Sequence, residues 1–166
     1  MIEQSLVLIK PDAVKKNLLG NIINKLSEQN IKIVAIKPVK VTEDLAKEHY
    51  SNLKNKPFFK EVIDYIMGQS YGIDCIFAMV YEGENCIEII RKVAGSTNPE
   101  EASPTSIRGS LGRITTKGDY ENVIHASSSQ EEAEKEIKLW FKPSELMHTI
   151  YETFETNENC SQIKWK

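Results

Sequence analysis

The run Asn122-Val123-Ile124-His125-Ala126-Ser127-Ser128-Ser129 carries one histidine to the end of an apolar stretch, immediately ahead of a helix start signal. That placement suits a nucleophile. A strand end holds a side chain more rigidly than a loop, and the free N–H groups of a following helix N-terminus favour nearby anions such as phosphate. Ser129 and Glu132 fit the S-x-x-E capping box that opens a helix over 130–139. Glu136, on that helix, can fold back to orient the imidazole. Of the three histidines, His49 and His148 read as surface or packing residues. Taken alone, His125 reads more readily as a satisfied histidine at a strand terminus, so the rest of the chain must decide.

The chain has 166 residues, 40% hydrophobic and 27% charged, which is ordinary for a soluble globular protein with a core of its own. No apolar run approaches the roughly 18–20 residues of a membrane span. The start, Met1-Ile2-Glu3-Gln4, is acidic and passes quickly into a strand pattern, so a cytoplasmic protein with no membrane partner is expected. Cys75, Cys86 and Cys160 are odd in number and far apart, without the spacing of a zinc or redox pair. A net charge of −3 argues against a stable nucleic-acid partner, which asks for a basic footprint. A small anion held by a local cationic cluster remains compatible.

Ser5 to Ile9 reads as a buried strand stopped by Lys10-Pro11-Asp12, which leaves Lys10 at the strand exit. Leu18, Leu19, Ile22, Ile23 and Leu26 recur at helical spacing. Residues 31–41 predict a second strand, expected to pair with the first. Thr42 caps a helix through Leu53, and a shorter helix covers 59–67. A strand over 75–81, a helix over 85–94 ended by Gly95, a long loop over 96–120, the strand 122–125 and the capped helix follow. With the helical excursion between the second and third strands set aside, the order is βαββαβ, an α+β, ferredoxin-like antiparallel sheet with helices on one face and an extended loop before its last strand. A single domain over 1–154 is expected, followed by a polar, loosely held tail over 155–166.

Five separated segments, in order, resemble the nucleoside diphosphate kinase family. They are Ile9-Lys10-Pro11-Asp12-Ala13-Val14; His49-Tyr50 with Lys56-Pro57-Phe58-Phe59; Glu82-Gly83-Glu84-Asn85 leading to Arg91 and Gly95-Ser96-Thr97-Asn98-Pro99; Ile107-Arg108-Gly109; and the His125 segment with Ala133-Glu134-Lys135-Glu136-Ile137 and Trp140-Phe141-Lys142-Pro143. The resemblance implies that His125 takes the γ-phosphoryl group of a nucleoside triphosphate and passes it to a diphosphate, ping-pong, with broad base and sugar specificity. A largely neutral imidazole is a competent nucleophile, and phosphoryl transfer asks mostly for positioning and charge neutralisation. By the same resemblance Arg91, Arg108 and Thr97 meet the phosphates, Lys10 and Asn122 the ribose hydroxyls, and Phe58 the base. Tyr50 lies near the nucleophile, which Ser127 and Glu136 support by hydrogen bonds. Mg²⁺ is expected to arrive with the nucleotide, and the protein to assemble as a homo-oligomer, hexamer or tetramer. The alternatives are a non-catalytic nucleotide or nucleic-acid binding module, or a phosphohistidine protein kinase.

Within that resemblance, Phe59 competes with Phe58 for the core and Tyr50 reads equally as a core residue. The chain also departs from the family pattern. Ala126 follows the nucleophile, and Ser128 and Ser110 stand where aspartates are usual, so no metal-facing carboxylate remains. The intervals 109–121 and 69–74 are longer than the family's. Arg113 and Lys117 in the first either form a solvated excursion or a subunit contact, or bring added positive charge to the phosphates.

Overall fold

Leu6-Val7-Leu8-Ile9 lies at the centre of the molecule, with no exposed surface on any of the four side chains. Successive strand residues point to opposite faces, and here both faces are covered: Leu6 and Leu8 belong to one apolar cluster, Val7 and Ile9 to another. The computed structural model describes residues 1–158 and 160–165. In chain order the elements are β1 (Ile2–Ile9), α1 (Pro11–Lys15), α2 (Leu19–Ser27), β2 (Lys32–Val39), α3 (Glu43–His49), α4 (Phe59–Ile66), β3 (Ile76–Glu84), α5 (Cys86–Ala94), α6 (Ile107–Leu111), β4 (Arg113–Ile114), β5 (Tyr120–Glu121), β6 (Ile124–Ala126), α7 (Gln130–Trp140), β7 (Thr153–Glu158) and β8 (Cys160–Trp165). Short 3₁₀ turns sit at Ser51–Leu53, Gln69–Tyr71 and Pro143–Glu145.

The main sheet is antiparallel throughout, in the order β2-β3-β1-β6. The expected pairing of the second strand with the first is therefore corrected: β3 lies between them. In a βαββαβ chain the first helical crossover leaves room for one strand, and β3 fills it. Helices on one face are also corrected to helices on both. Ile22 and Leu26 of α2, Ile90 and Ala94 of α5 and Ile107 of α6 pack with Val7 and Ile9. Ala46 of α3, Ile63 and Ile66 of α4, and Ile137 and Trp140 of α7 pack with Leu6 and Leu8. The excursion between β2 and β3 supplies two of the three helices on that second face.

Local chemistry sets the helix ends that matter for the site. Ser129 Oγ accepts from Glu132 N–H at 3.2 Å and starts α7, and Thr42 Oγ1 accepts from Leu45 N–H at 3.2 Å and starts α3. Pro11 at the first position of α1 needs no donor there, so a short helix follows directly on β1. The helix begun at Thr42 stops at His49, before the 3₁₀ turn, rather than running to Leu53. The long loop is not featureless either. It holds α6 and the β4–β5 hairpin, in which Arg113 faces Glu121 and Ile114 faces Tyr120. Gly109 lets α6 approach Ser103 so closely that an added Cβ would lie 2.1 Å from its carbonyl oxygen.

Thr153–Glu158 and Cys160–Trp165, which overlap the expected tail over 155–166, pair as two antiparallel strands, while Asn159 and Lys166 of that tail lie outside the described residues. Trp165 Nε1 donates to Phe141 O at 2.8 Å, and its ring packs against the second-face cluster.

Candidate active site

β6 pairs with β1 so that His125 sits opposite Leu8, at the end of the sheet nearest the Lys10 turn. The imidazole is partly buried, with 19% of its side chain exposed. Its Nε2 lies 2.9 Å from Glu136 Oε1. Ser127 Oγ donates to Glu136 Oε2 at 2.6 Å and accepts from Leu6 N–H at 3.0 Å, which ties the carboxylate to the central strand. A carboxylate at Nε2 keeps the proton there and leaves Nδ1 with its lone pair. Sequence reasoning grouped His125, Ser127 and Glu136, and the structure brings them together.

His49 is the residue that reasoning undervalued. It is buried, and its ring meets that of His125 edge-on, with centroids 4.6 Å apart. Trp140 Nε1–H donates to His49 Nδ1 at 3.1 Å. Burial foremost, then the nearby His125 and Lys10, push the His49 pKa down to about 2, so it stays neutral beside His125. The available signal was spacing: Ala46 and His49 are three apart and form the buried face of α3. Tyr50, next along, packs against the core cluster and lies edge-on to His49 at 4.6 Å, so it is both a core residue and a neighbour of the site. Its phenol is pushed above the usual range by burial, then by the Glu136 carboxylate.

A cationic corner faces this group. Lys10 Nζ donates to Asn122 Oδ1 at 2.7 Å and sits 5.3 Å over the Tyr65 ring. Burial foremost, then the positive charge of Arg108, bring Lys10 down to about 8. Arg108 donates to Gly95 O at 2.7 Å and Ile124 O at 3.0 Å, while its Nε is buried with no partner. Burial, then Arg91, lower Arg108 to about 10. Among the described residues neither Lys10 nor Arg108 makes an ion pair. Cations packed together with no ion pair, Lys10 feeling Asp12 less strongly than it feels burial and Arg108, describe a site for an anion.

The strand feeding this corner is strained. Val123 has φ +58°, which is costly for a β-branched residue, and its N–H donates to Asp12 Oδ2 at 3.1 Å. Asp12 is fully buried and also accepts from Tyr65 Oη at 2.7 Å. Sequence reasoning read Asp12 as part of a strand stop and of the first family-like segment, without giving it a role. Asn122 Nδ2 donates to Thr97 O at 3.0 Å, so the loop carrying Thr97 is tied to Lys10 through one side chain.

Arg91, on the last turn of α5, and Thr97 are exposed at the rim. Phe58 is 45% exposed, whereas Phe59 packs into the core, so the ring free for a ligand is Phe58. Arg113 does not join Lys10 and Arg108 in the cationic corner: its guanidinium holds Glu121 at 2.6 and 3.2 Å. Ser110 Oγ bonds back to Ser106 O at 2.6 Å.

Comparison with known proteins agrees with this geometry. The profile of the nucleoside diphosphate kinase family matches residues 3–146. A nucleoside diphosphate kinase of Methanothermobacter thermautotrophicus is 47% identical over 145 residues, 87% of this chain and 91% of the relative. The solved nucleoside diphosphate kinase of Aquifex aeolicus superposes with a TM-score of 0.79 at 35% identity, covering 89% of this chain and all of that one. That of Borrelia burgdorferi, a transition-state mimic with bound vanadate and ADP, gives 0.80 at 30% identity over 96% and 95%. A partly buried histidine braced by a carboxylate, an unpaired cationic corner, and relatives matching nearly the whole chain lead to one conclusion: this protein belongs to the nucleoside diphosphate kinase family.

Proposed function

We propose that this protein transfers the γ-phosphoryl group of a nucleoside triphosphate to a nucleoside diphosphate through phospho-His125. The observation that carries the reading is His125, tied at Nε2 to Glu136 and next in the chain to Ile124, whose carbonyl Arg108 holds, with Lys10 and Arg108 acting on one another as cations that have no ion-pair partner among the described residues. The Nδ1 lone pair forms a bond to the γ-phosphorus as the bond from that phosphorus to the bridging oxygen breaks, and the diphosphate leaves with the electron pair. A second diphosphate reverses the step. The imidazole gains positive charge as it is phosphorylated, and the Glu136 carboxylate at Nε2 stabilises it. Arg108 and Arg91 neutralise phosphate oxygens, Thr97 adds a hydroxyl donor, Lys10 and Asn122 engage the ribose, and Phe58 stacks on the base. Tyr50 and Ser127 hold the nucleophile and its carboxylate in place. The Borrelia relative, a transition-state mimic with bound vanadate and ADP, supports phosphoryl transfer as the chemistry.

Mg²⁺ is a separate matter. Among the described residues, the one His/Cys/Asp/Glu cluster with metal-ligand spacing is His49–His125–Glu136, where Nε2 of His125 is already engaged. Ser110 is turned onto its own helix, and Ser128 is a hydroxyl where relatives usually carry a carboxylate. These residues do not form a protein site for the ion, which on this reading is carried by phosphate oxygens and water.

The catalytic domain is taken as 1–154, and the protein is placed in the cytoplasm as a homo-oligomer, hexamer or tetramer. No helix among the described residues is long and apolar enough to cross a membrane, and Cys75 and Cys86 are free thiols. β2 is an open sheet edge with Ile36 half exposed, a surface that assembly would cover. Mixing with γ-labelled ATP and isolating labelled protein tests the chemistry, and discharge of that label by diphosphates in preference to candidate protein acceptors tests the substrate. A chain that never takes up label is a binding module.

A further inference from the structure

The two lengthened segments of this chain dock on one another. Tyr71, in the 3₁₀ turn of the first, donates its hydroxyl to Glu121 Oε1 at 3.0 Å, in the hairpin of the second. Glu121 is 4% exposed and accepts three further bonds, from Arg113 Nε at 2.6 Å, Arg113 Nη2 at 3.2 Å and Lys16 Nζ at 2.5 Å. A buried carboxylate is tolerated only when its oxygens are met this fully. The Arg113 hydrogen bond foremost, aided by Lys16 and Tyr71, holds its pKa at about 2 against the effect of burial.

Glu121 immediately precedes the residues that build the site. Asn122 bridges Lys10 and Thr97, Val123 sits in its strained conformation on Asp12, and His125 reaches Glu136. A β-branched residue persists in the left-handed region only where the chain on both sides is held. Downstream, pairing of β6 with β1 holds it. Upstream, the anchor is Glu121.

We propose that Glu121 is a positioning residue for the nucleotide's sugar: by pinning the β4–β5 hairpin to Lys16 and Tyr71, it fixes the start of the Asn122–Val123 turn and holds Asn122 in register with Lys10. This rests on the reading above that Lys10 and Asn122 face the ribose. The inserted turn and hairpin are then one brace at the sugar end, and Arg113 is committed to that brace rather than to the phosphates.

The test compares phosphoenzyme formation and steady-state exchange with ATP and with 2′,3′-dideoxy-ATP, which lacks both sugar hydroxyls. Glu121→Ala should raise KM for ATP about tenfold with kcat at saturation nearly unchanged, a loss of the size seen when a supporting contact is removed. The penalty should vanish with the dideoxy nucleotide. The Glu121→Ala/Asn122→Ala pair should be no worse than Asn122→Ala alone. Tyr71→Phe removes one hydroxyl from a partly exposed side chain, and should repeat the pattern at smaller size even if Glu121→Ala fails to fold. Equal penalties for both nucleotides, or losses that add, would overturn the proposal. Absence of phosphoenzyme in the unmutated protein would instead overturn the kinase reading beneath it.

Discussion

The two ends of the site are built to different standards. At the His125 end, His125, Glu136, Ser127 and Leu6 form one chain of hydrogen bonds, and the neighbouring Lys10 and Asn122, read above as facing the sugar, are each 9% exposed or less. At the other end, where the proposed reading puts the base, the Phe58 ring is 45% exposed. The difference follows what each end must discriminate. A phosphorus atom must be met at one angle and distance, where a misplacement of about 1 Å can cost on the order of a hundredfold. A base that is only stacked offers a π face whatever its identity.

Removing the nucleophile is the most severe way to test that contrast. His125→Ala should abolish both phosphoenzyme formation and exchange, and full-rate turnover by that variant would sink the mechanism. Glu136→Gln keeps the shape but weakens the hold on Nε2, and should cost on the order of 10–100-fold in kcat. A loss smaller than about twofold would mean that the rigid end is no more demanding than the open one.

Proton linkage sharpens the contrast at intermediate size. The Lys10 pKa is lowered from 10.5 to about 8, so the folded chain binds this proton less tightly than the unfolded chain does. The destabilisation is full below about pH 8 and is relieved as pH rises toward 10.5, so this group makes the free protein more stable over that window. Nucleotide binding runs the other way, because an anion favours charged Lys10. Affinity should fall above pH 8, and ADP binding at pH 8 should take up about half a proton. Calorimetry in buffers of different ionisation enthalpy measures it; no uptake would remove Lys10 from the anion site.

The smallest effect belongs to the open end. Phe58→Ala should raise KM about fivefold for every nucleotide, corresponding to roughly 1 kcal/mol of stacking on a half-exposed ring. Preference for one base by more than about a thousandfold would show that some residue reads base edges.

Much of the phosphate end was legible because its residues lie in short, ordered motifs: Lys10 after an apolar strand, Arg108 before a glycine, His125 before a capped helix. What was not legible depended on how segments stack. The Leu6–Ile9 run has no alternation, and that was the sign of a strand covered on both faces, yet periodicity could not say which helices cover it. The place of β3 between β1 and β2 is a property of the crossover rather than of any residue. Tyr71 and Glu121 lie 50 positions apart in segments without periodicity, so nothing local announced their bond. His49 was passed over because a histidine beside a tyrosine says nothing until α3 is laid against α7.

The sheet order has a consequence for how the protein comes off the ribosome. β1 is made first, but its second neighbour, β6, is made only at residues 124–126, and α7, which carries Glu136, later still. For most of synthesis the most apolar strand therefore has an open edge and lacks one of the three helices of its second face, a condition that exposes apolar surface to aggregation. The nucleophile arrives on the strand that closes that edge. A truncated product that ends before α7 thus has neither a finished core nor a braced imidazole.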